Sequence, residues 1–484
     1  DAAQLAYDRP VPVNAGNGED VDYPFVARYS KGLPHDGLGV VLPTAHEALL
    51  AALTSGDPAR FEAIPLGGVR PLTNPQAGKA FDLEGPDCHA LAMRPAPRID
   101  SPEHSAEMAE LYWMALLRDV SFTDFGSNPG VAAAASDLSR LSDFRAPKQR
   151  GKVTAKTVFR GNTIGDRIGP FVSQFLLKDI PYGSLLISQR QETTVPGSDY
   201  LTGYQDWLSV QNGSLPRPPR LDSTRRYIRN MRDLTHYVHV DALYEAYLNA
   251  CLMLLAMNAP VDPGNPYVRS RNQQGFGTFG GPHVLSLVTE VATRALKAVW
   301  FQKWYIHRRL RPEEFGGRVH NHLRGAASYP INPEVLNSAA VQATNTRQGS
   351  YLLSTAFPEG APTHPAYGSG HATVAGACVT ILKAWFDETF VLPSPVVANR
   401  DGTALVPYGG SDAGQMTVGG ELNKVAANIA GGRNMAGIHW RSDYWEGVRL
   451  GEQVAVGVLQ EQKATYNEAH SFSFTGFDGN QVTI

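Results

Sequence analysis

The sequence predicts an all-α fold, a helical bundle carrying an irregular N-terminal arm. Three observations lead there. Apolar residues recur at helical spacing over long stretches of the second half, strand-like alternation is sparse and short, and the first hundred residues are dotted with Pro, Gly and Asp. At 484 residues the chain is long enough to bury a large core. No internal repeat, low-complexity tract or clear linker divides it.

Residues 1–100 read as an arm or wrap, with one short helix over 44–54. Ser101-Pro102-Glu103 supplies a cap, a first-turn proline and an acid at the positive helix end, and opens a helix to about residue 119. From there, residues 101–484 are expected to form the helical domain, with the functional site within about 282–465. The Gly-, Pro- and Ser-dotted residues 181–219 read as a long connection. Residues 241–257 are apolar all round, the signature of a buried helix. A long helix follows from 282 to about 310, with Leu285, Val288, Ala292, Leu296 and Val299 on its apolar side. Helices over 371–386 and 444 to about 465 complete the set.

Composition excludes several classes. A formal charge of -3 gives no bulk electrostatic case for nucleic acid or an anionic membrane. No apolar run approaches the roughly 18 residues that a spanning helix needs, so no membrane partner is expected. Cys88, Cys251 and Cys378 lie far apart, without metal spacing or a disulfide framework; one disulfide stays open. The chain opens on Asp1 and not methionine, which leaves a removed leader, and with it secretion or a periplasmic location, open.

Three elements carry chemistry. On the long helix Lys303 and His307 are four apart and share a face with Trp300 and Trp304, while Arg311 precedes Pro312, where the helix is expected to end. Neighbouring Arg308 and Arg309 read as a solvated helix end. Next, Gly368-Ser369-Gly370-His371 opens an apolar helix, so a hydroxyl and free amides face one point, as at anion-binding helix starts. His371 adds a group that moves protons near neutral pH. Last, Arg433 precedes His439, and Asp443 lies four beyond it, on one helical face, placed to orient the imidazole. Together these make a cradle for a tetrahedral oxyanion of the phosphate or vanadate type.

In this order and spacing, Lys303 with Arg311-Pro312, Ser369-Gly370-His371, and Arg433 with Gly437, His439 and Asp443 resemble the superfamily that joins vanadium-dependent haloperoxidases to vanadate-inhibited acid phosphatases. Seven residues separate Lys303 from Arg311, as in the algal bromoperoxidases; phosphatases and fungal chloroperoxidases of the group typically have fewer. Segments 31–36, 64–68, 110–119, 284–299 and 329–332 also look like red-algal and cyanobacterial bromoperoxidases, so the likeness runs nearly the whole chain from about Val26.

The resemblance implies a fold of two four-helix bundles and vanadate held by Lys303, Arg311, Ser369, Gly370 and Arg433, with His439 as the axial ligand of vanadium. It implies His371 as the acid–base group, Asp443 as the residue that orients His439, and His364 as a second histidine of the halide pocket. The implied reaction uses hydrogen peroxide to oxidise bromide or iodide to a hypohalous acid equivalent that halogenates small organic substrates. A homo-oligomer built from dimers is implied as well. Phosphate is expected to compete for the vanadate site.

Some positions depart from the family pattern. Trp300 stands where red-algal relatives carry Arg, which makes the halide pocket less cationic and brings chloride into consideration. Gly368 replaces a usual Pro and gives the loop more backbone freedom to lose. The relatives' acidic calcium loop corresponds here to residues 269–275, which hold no carboxylate, so calcium is not expected there. The dinucleotide-like glycine pattern at 275–280 follows no strand, and His320 with His322 lacks a third ligand; neither is read as a site. The alternative reading is a vanadate-inhibited acid phosphatase acting through a phosphohistidine at His439. A non-enzymatic phosphate-binding helical protein would need neither His371 nor the His439–Asp443 pair.

Overall fold

A computed structural model of the chain describes residues 12–484. Residues 1–11 of the expected arm lie outside that range. The described part is helical, with three small two-stranded antiparallel sheets. Helices of eight residues or more are α1 (Pro43–Ser55), α2 (Pro102–Leu116), α3 (Pro129–Leu138), α4 (Tyr204–Gln211), α5 (Met231–Val240), α6 (Glu245–Ala256), α7 (Gly281–Phe301), α8 (Pro312–Leu323), α9 (Ala339–Gln348), α10 (Gly370–Trp385), α11 (Val418–Met435) and α12 (Arg441–Thr465).

Helix α10 is the axis. Every residue of it except His371 is buried, as its unbroken apolar sequence requires. Helices α7, α11 and α12 pack around it. The α10–α12 crossing is unusually close because both helices drop side chains there. A Cβ on Gly451 would lie 1.9 Å from the Thr373 carbonyl oxygen, and one on Gly376 would lie 2.1 Å from that of Val448. This approach carries the start of α10 to the start of α12, where the Ser369 amide donates to the Asp443 carbonyl at 3.0 Å.

The long helix ends earlier than its pattern suggests. After α7, residues Gln302–His307 form a π-helical turn, closed by the Arg308 amide donating to the Lys303 carbonyl at 3.0 Å. Arg308 is left-handed (φ 40) and stops the helix. Pro312 then begins α8 at a position where its missing N–H costs nothing, and it forces Arg311 into extended backbone. The link 308–311 is pinned on three sides. Arg308 O accepts from Tyr29 N at 2.8 Å, Arg309 O from Ala366 N at 3.0 Å, and Leu310 O from Trp440 Nε1 at 3.0 Å.

Two other expectations are corrected. The apolar stretch 241–257 is not one helix: α6 starts at Glu245, and α5 precedes it across a break that holds Asp241. The supposed connection 181–219 contains a hairpin, Ile180–Tyr182 against Leu185–Ile187, and the helix α4. Helix α4 exists because Trp207 sinks its ring against Gly39 and Gly317, a pocket built from distant chain. Ser101 does cap α2, accepting from the His104 amide at 3.2 Å.

The segment before α2 is stitched to the site region. Arg28 donates to the His307 carbonyl at 2.8 Å, Lys31 pairs with Glu313 and reaches the Glu359 carbonyl at 2.7 Å, and Trp300 Nε1 donates to the Thr73 carbonyl at 3.2 Å. All three cysteines are free and buried. Among the described residues no helix is long and apolar enough to cross a membrane.

Because the α10–α12 contact has no room for a methyl group, Gly451→Ala is expected to lower the unfolding free energy by about 1–3 kcal/mol. Urea denaturation read by circular dichroism measures this, and an unchanged midpoint would contradict the packing argument.

Candidate functional site

Residues from four places in the chain converge on one end of α10. Lys303 comes from the π turn, Arg311 from the residue before α8, Arg433 from the last turns of α11, and His439 from the turn between α11 and α12. Ser369 caps α10 and Gly370 begins it. The π turn matters here, because it shifts Lys303 and everything after it relative to the α-helical faces that spacing alone suggests.

A cavity of about 440 Å³ opens at this point. Trp300, His364, Gly370, His371, Arg433 and His439 are in its wall. Lys303, Arg311, Ser369 and Asp443 are fully buried just behind it.

The cations are held by backbone. Lys303 Nζ donates to the carbonyls of Pro365 (2.8 Å) and Ala366 (2.9 Å). Arg311 donates through Nε to the His364 carbonyl (2.9 Å) and through one terminal nitrogen to the Ile438 carbonyl (2.9 Å). Arg433 donates to the Val238 carbonyl, lies 5.5 Å from the Phe357 ring centroid, and leaves a buried Nε with no partner. Among the described residues none of the three makes a salt bridge. Burial, and then the neighbouring Arg311, push Lys303 well below its usual range; burial likewise brings Arg433 down to about 10.

His439 is fixed on both ring nitrogens. Nδ1 meets Asp443 Oδ2 at 2.8 Å, and Nε2 meets an Arg311 terminal nitrogen at 2.9 Å. Arg311 has only hydrogens to give, so Nε2 is the acceptor and Nδ1 carries the proton. Burial, then the charges of Arg311 and Lys303, hold this imidazole neutral, with a pKa well below the usual range. The His439–Asp443 contact does form, but not along a helical face. Helix α12 starts at Arg441, and Asp443 reaches back across its start to His439 and to the Trp440 amide (3.1 Å), in the manner of a capping box.

Ser369 Oγ accepts weakly from the Ala372 amide (3.4 Å), which leaves its proton free to donate. His364 Nδ1 lies 2.9 Å from Arg311, and its ring is 4.6 Å from that of Trp300. Burial and the Arg311 charge keep His364 neutral too. Trp300 also lies under Lys303, whose Nζ is 5.8 Å from the ring centroid.

Two features escaped the sequence reading. Asp241 Oδ1 lies 3.0 Å from His371 Nε2, across 130 residues of chain. With Nε2 so engaged, Nδ1 is the nitrogen of His371 left to exchange a proton. The second is Arg309. It is buried, not solvated, and pairs with Glu107 and Asp443, each at 2.9 Å. Arg308 does lie nearer the surface, paired with Asp20.

Donors of this kind suit a tetrahedral oxyanion: three buried cations without carboxylates, a hydroxyl and amides at a helix start, and an imidazole lone pair. An anion placed among them favours the charged form of Lys303. Sulfate binding is therefore expected to be accompanied by proton uptake and to weaken as pH rises. Calorimetry in two buffers of different ionisation enthalpy measures the uptake. Lys303→Met should abolish it, and binding without proton uptake would contradict the assignment.

Comparison with known proteins places these features in context. Residues 285–468 match the family model of the VCPO second helical-bundle domain. The vanadium-dependent bromoperoxidases of Corallina officinalis and Corallina pilulifera are each 41% identical to the chain, covering all of it and 96% of each relative. That of Ascophyllum nodosum is 36% identical, over 95% of the chain and 86% of the relative. The solved homohexameric structure of the second vanadate-dependent bromoperoxidase from Ascophyllum nodosum matches with a TM-score of 0.95 at 30% identity, over 100% of this chain and 88% of that one.

Proposed function

The chain belongs to the vanadium-dependent bromoperoxidase family, and from that premise we propose that its buried cations hold vanadate for the oxidation of halide by hydrogen peroxide. The observation that supports this is the trio Lys303, Arg311 and Arg433, buried together without salt bridges among the described residues beside His439, whose unprotonated Nε2 accepts from Arg311. Burial disfavours the charged form of all three, and a multiply charged oxyanion would offset that cost.

In this assignment Lys303, Arg311 and Arg433 bind the oxyanion's negative oxygens, with Ser369 Oγ and the Gly370 amide completing the donor set. His439 Nε2 would be the ligand of vanadium, kept unprotonated because Nδ1–H is committed to Asp443. Bound vanadate supplies a Lewis acid that activates hydrogen peroxide without changing its own oxidation state. The net reaction consumes peroxide, a halide ion and one proton, and gives hypohalous acid and water. His371 takes and returns protons at Nδ1 while Asp241 holds Nε2. Lys303, oriented by the Pro365 and Ala366 carbonyls, would donate a hydrogen bond into the oxyanion cradle.

Trp300 and His364, in contact with each other and lining the cavity, form the halide pocket. An indole there in place of a guanidinium makes the pocket less cationic, and extends the proposed halides from bromide and iodide to chloride. Phosphate, of the same shape and charge class, competes for the cradle. As with the homohexameric Ascophyllum relative, the chain is expected to assemble into a homo-oligomer.

The decisive assay is bromination of a phenolic dye by metal-free protein with peroxide and bromide. Activity should appear on adding orthovanadate and fall when phosphate is added. Phosphomonoester hydrolysis without vanadate-dependent bromination would move the protein to the phosphatase reading through His439. His371→Ala is expected to lower kcat by about 10²–10⁴-fold while vanadate binding persists. Trp300→Arg should lower the KM for bromide; an unchanged halide order would remove Trp300 from the pocket.

A further inference from the structure

Arg309 stands one layer behind the site, with both terminal nitrogens engaged and only its buried Nε without a partner among the described residues. One terminal nitrogen donates to Asp443 Oδ1 (2.9 Å) and Ser442 Oγ (2.8 Å); the other donates to Glu107 Oε2 (2.9 Å) and faces His104 Nδ1 (3.1 Å). The guanidinium plane is 4.6 Å from the Trp440 ring centroid and 5.8 Å from that of Tyr367. Glu107 also accepts from the Ser442 amide and hydroxyl. Glu107 on α2 thus anchors both Arg309 and the first turn of α12.

The consequence falls on Asp443. Its Oδ2 is shared by His439 Nδ1 and the Trp440 amide, while its Oδ1 accepts from Arg309. Both carboxylate oxygens are engaged, so the carboxylate plane is fixed, and with it the imidazole ring that shares Oδ2. A lysine in place of Arg309 carries the same charge but not the fork, and a single ammonium cannot serve Asp443, Ser442 and Glu107 in these directions.

The geometry points to Arg309 as the positioning residue that, braced by Glu107, sets the Asp443 carboxylate and through it aims His439 Nε2 at the metal. This inference rests on the reading of His439 as the vanadium ligand. It makes Arg309 specific for vanadate over phosphate. Phosphate is gripped by the cations and amides alone, whereas vanadate also needs the His439 lone pair correctly aimed.

The test compares orthovanadate and phosphate binding, each by equilibrium dialysis on full-length metal-free protein, in the unmodified chain, Arg309→Lys, Asp443→Asn and His439→Ala. Thermal unfolding first establishes that each variant folds. Arg309→Lys is expected to weaken vanadate by about 10–100-fold and phosphate by less than about threefold, as loss of an outer-shell partner does. In the Asp443→Asn background the same replacement should add nothing further, because its effect passes through that carboxylate. Equal weakening of both anions would make Arg309 merely structural and overturn the proposal, as would a folded variant with unchanged vanadate affinity. If Arg309→Lys does not fold, Glu107→Gln, which loosens the same brace, should give the same selective loss; equal or absent loss there overturns it as well. His439→Ala separates the two levels. If it binds vanadate as well as the unmodified protein, the ligand assignment itself fails, and this inference with it.

Discussion

Three cationic side chains meet at one buried point with no salt bridge to any of them among the described residues, and the architecture around them is organised by that fact. Lys303, Arg311 and Arg433 are each held by main-chain carbonyls, which orient a donor without cancelling its charge. A carboxylate in the same place would have neutralised the trio and closed it to ligands. Elsewhere in the fold the opposite choice is made: Arg441 pairs with Glu110, Arg232 with Asp119, and Arg309 with Glu107 and Asp443. Burial disfavours the charged form of each of the three, so an oxyanion held there would stabilise the native state.

Holding carbonyls in that arrangement requires backbone that leaves regular helix at chosen places. The π turn at Gln302–His307, the left-handed Arg308 and the extended Arg311 let one short stretch deliver Lys303 and Arg311 to the same side. The start of α10 delivers Ser369 and Gly370, and the glycine-lined crossing with α12 brings His439 and Asp443 against them. Behind this shell a layer of ion pairs reaches Glu107 on α2, and Asp241, in the break between α5 and α6, supports His371. Irregular backbone therefore supplies the site and close helix packing holds it rigid.

Much of this was legible in the sequence where the relevant contact is local or the residue types are unusual together. The all-helical class followed from periodicity, and the starts of α2 and α10 from their caps. Lys303, Arg311, Ser369, Arg433 and His439 were conspicuous as cations, a cap and histidines bordering apolar helices. What periodicity could not show was the π turn, which shifts the residues after Lys303 off the faces that α-helical spacing gives them. Arg309 looked solvated because its partners lie 202 and 134 residues away. Asp241 was hidden for the same reason, and also because the break before α6 interrupts an apolar run that reads as continuous. Helix α4 depends on a tryptophan slot formed by two distant glycines, which no local pattern reveals.

On the proposed assignment, His439 Nε2 is the ligand that distinguishes vanadate from other oxyanions in the cradle. A crystal structure of the protein grown with orthovanadate tests it most directly. The expected result is vanadium bonded to His439 Nε2, with its oxygens on Lys303, Arg311, Arg433 and the start of α10. Vanadate bound elsewhere, or held in the cradle with no bond to His439, would contradict it.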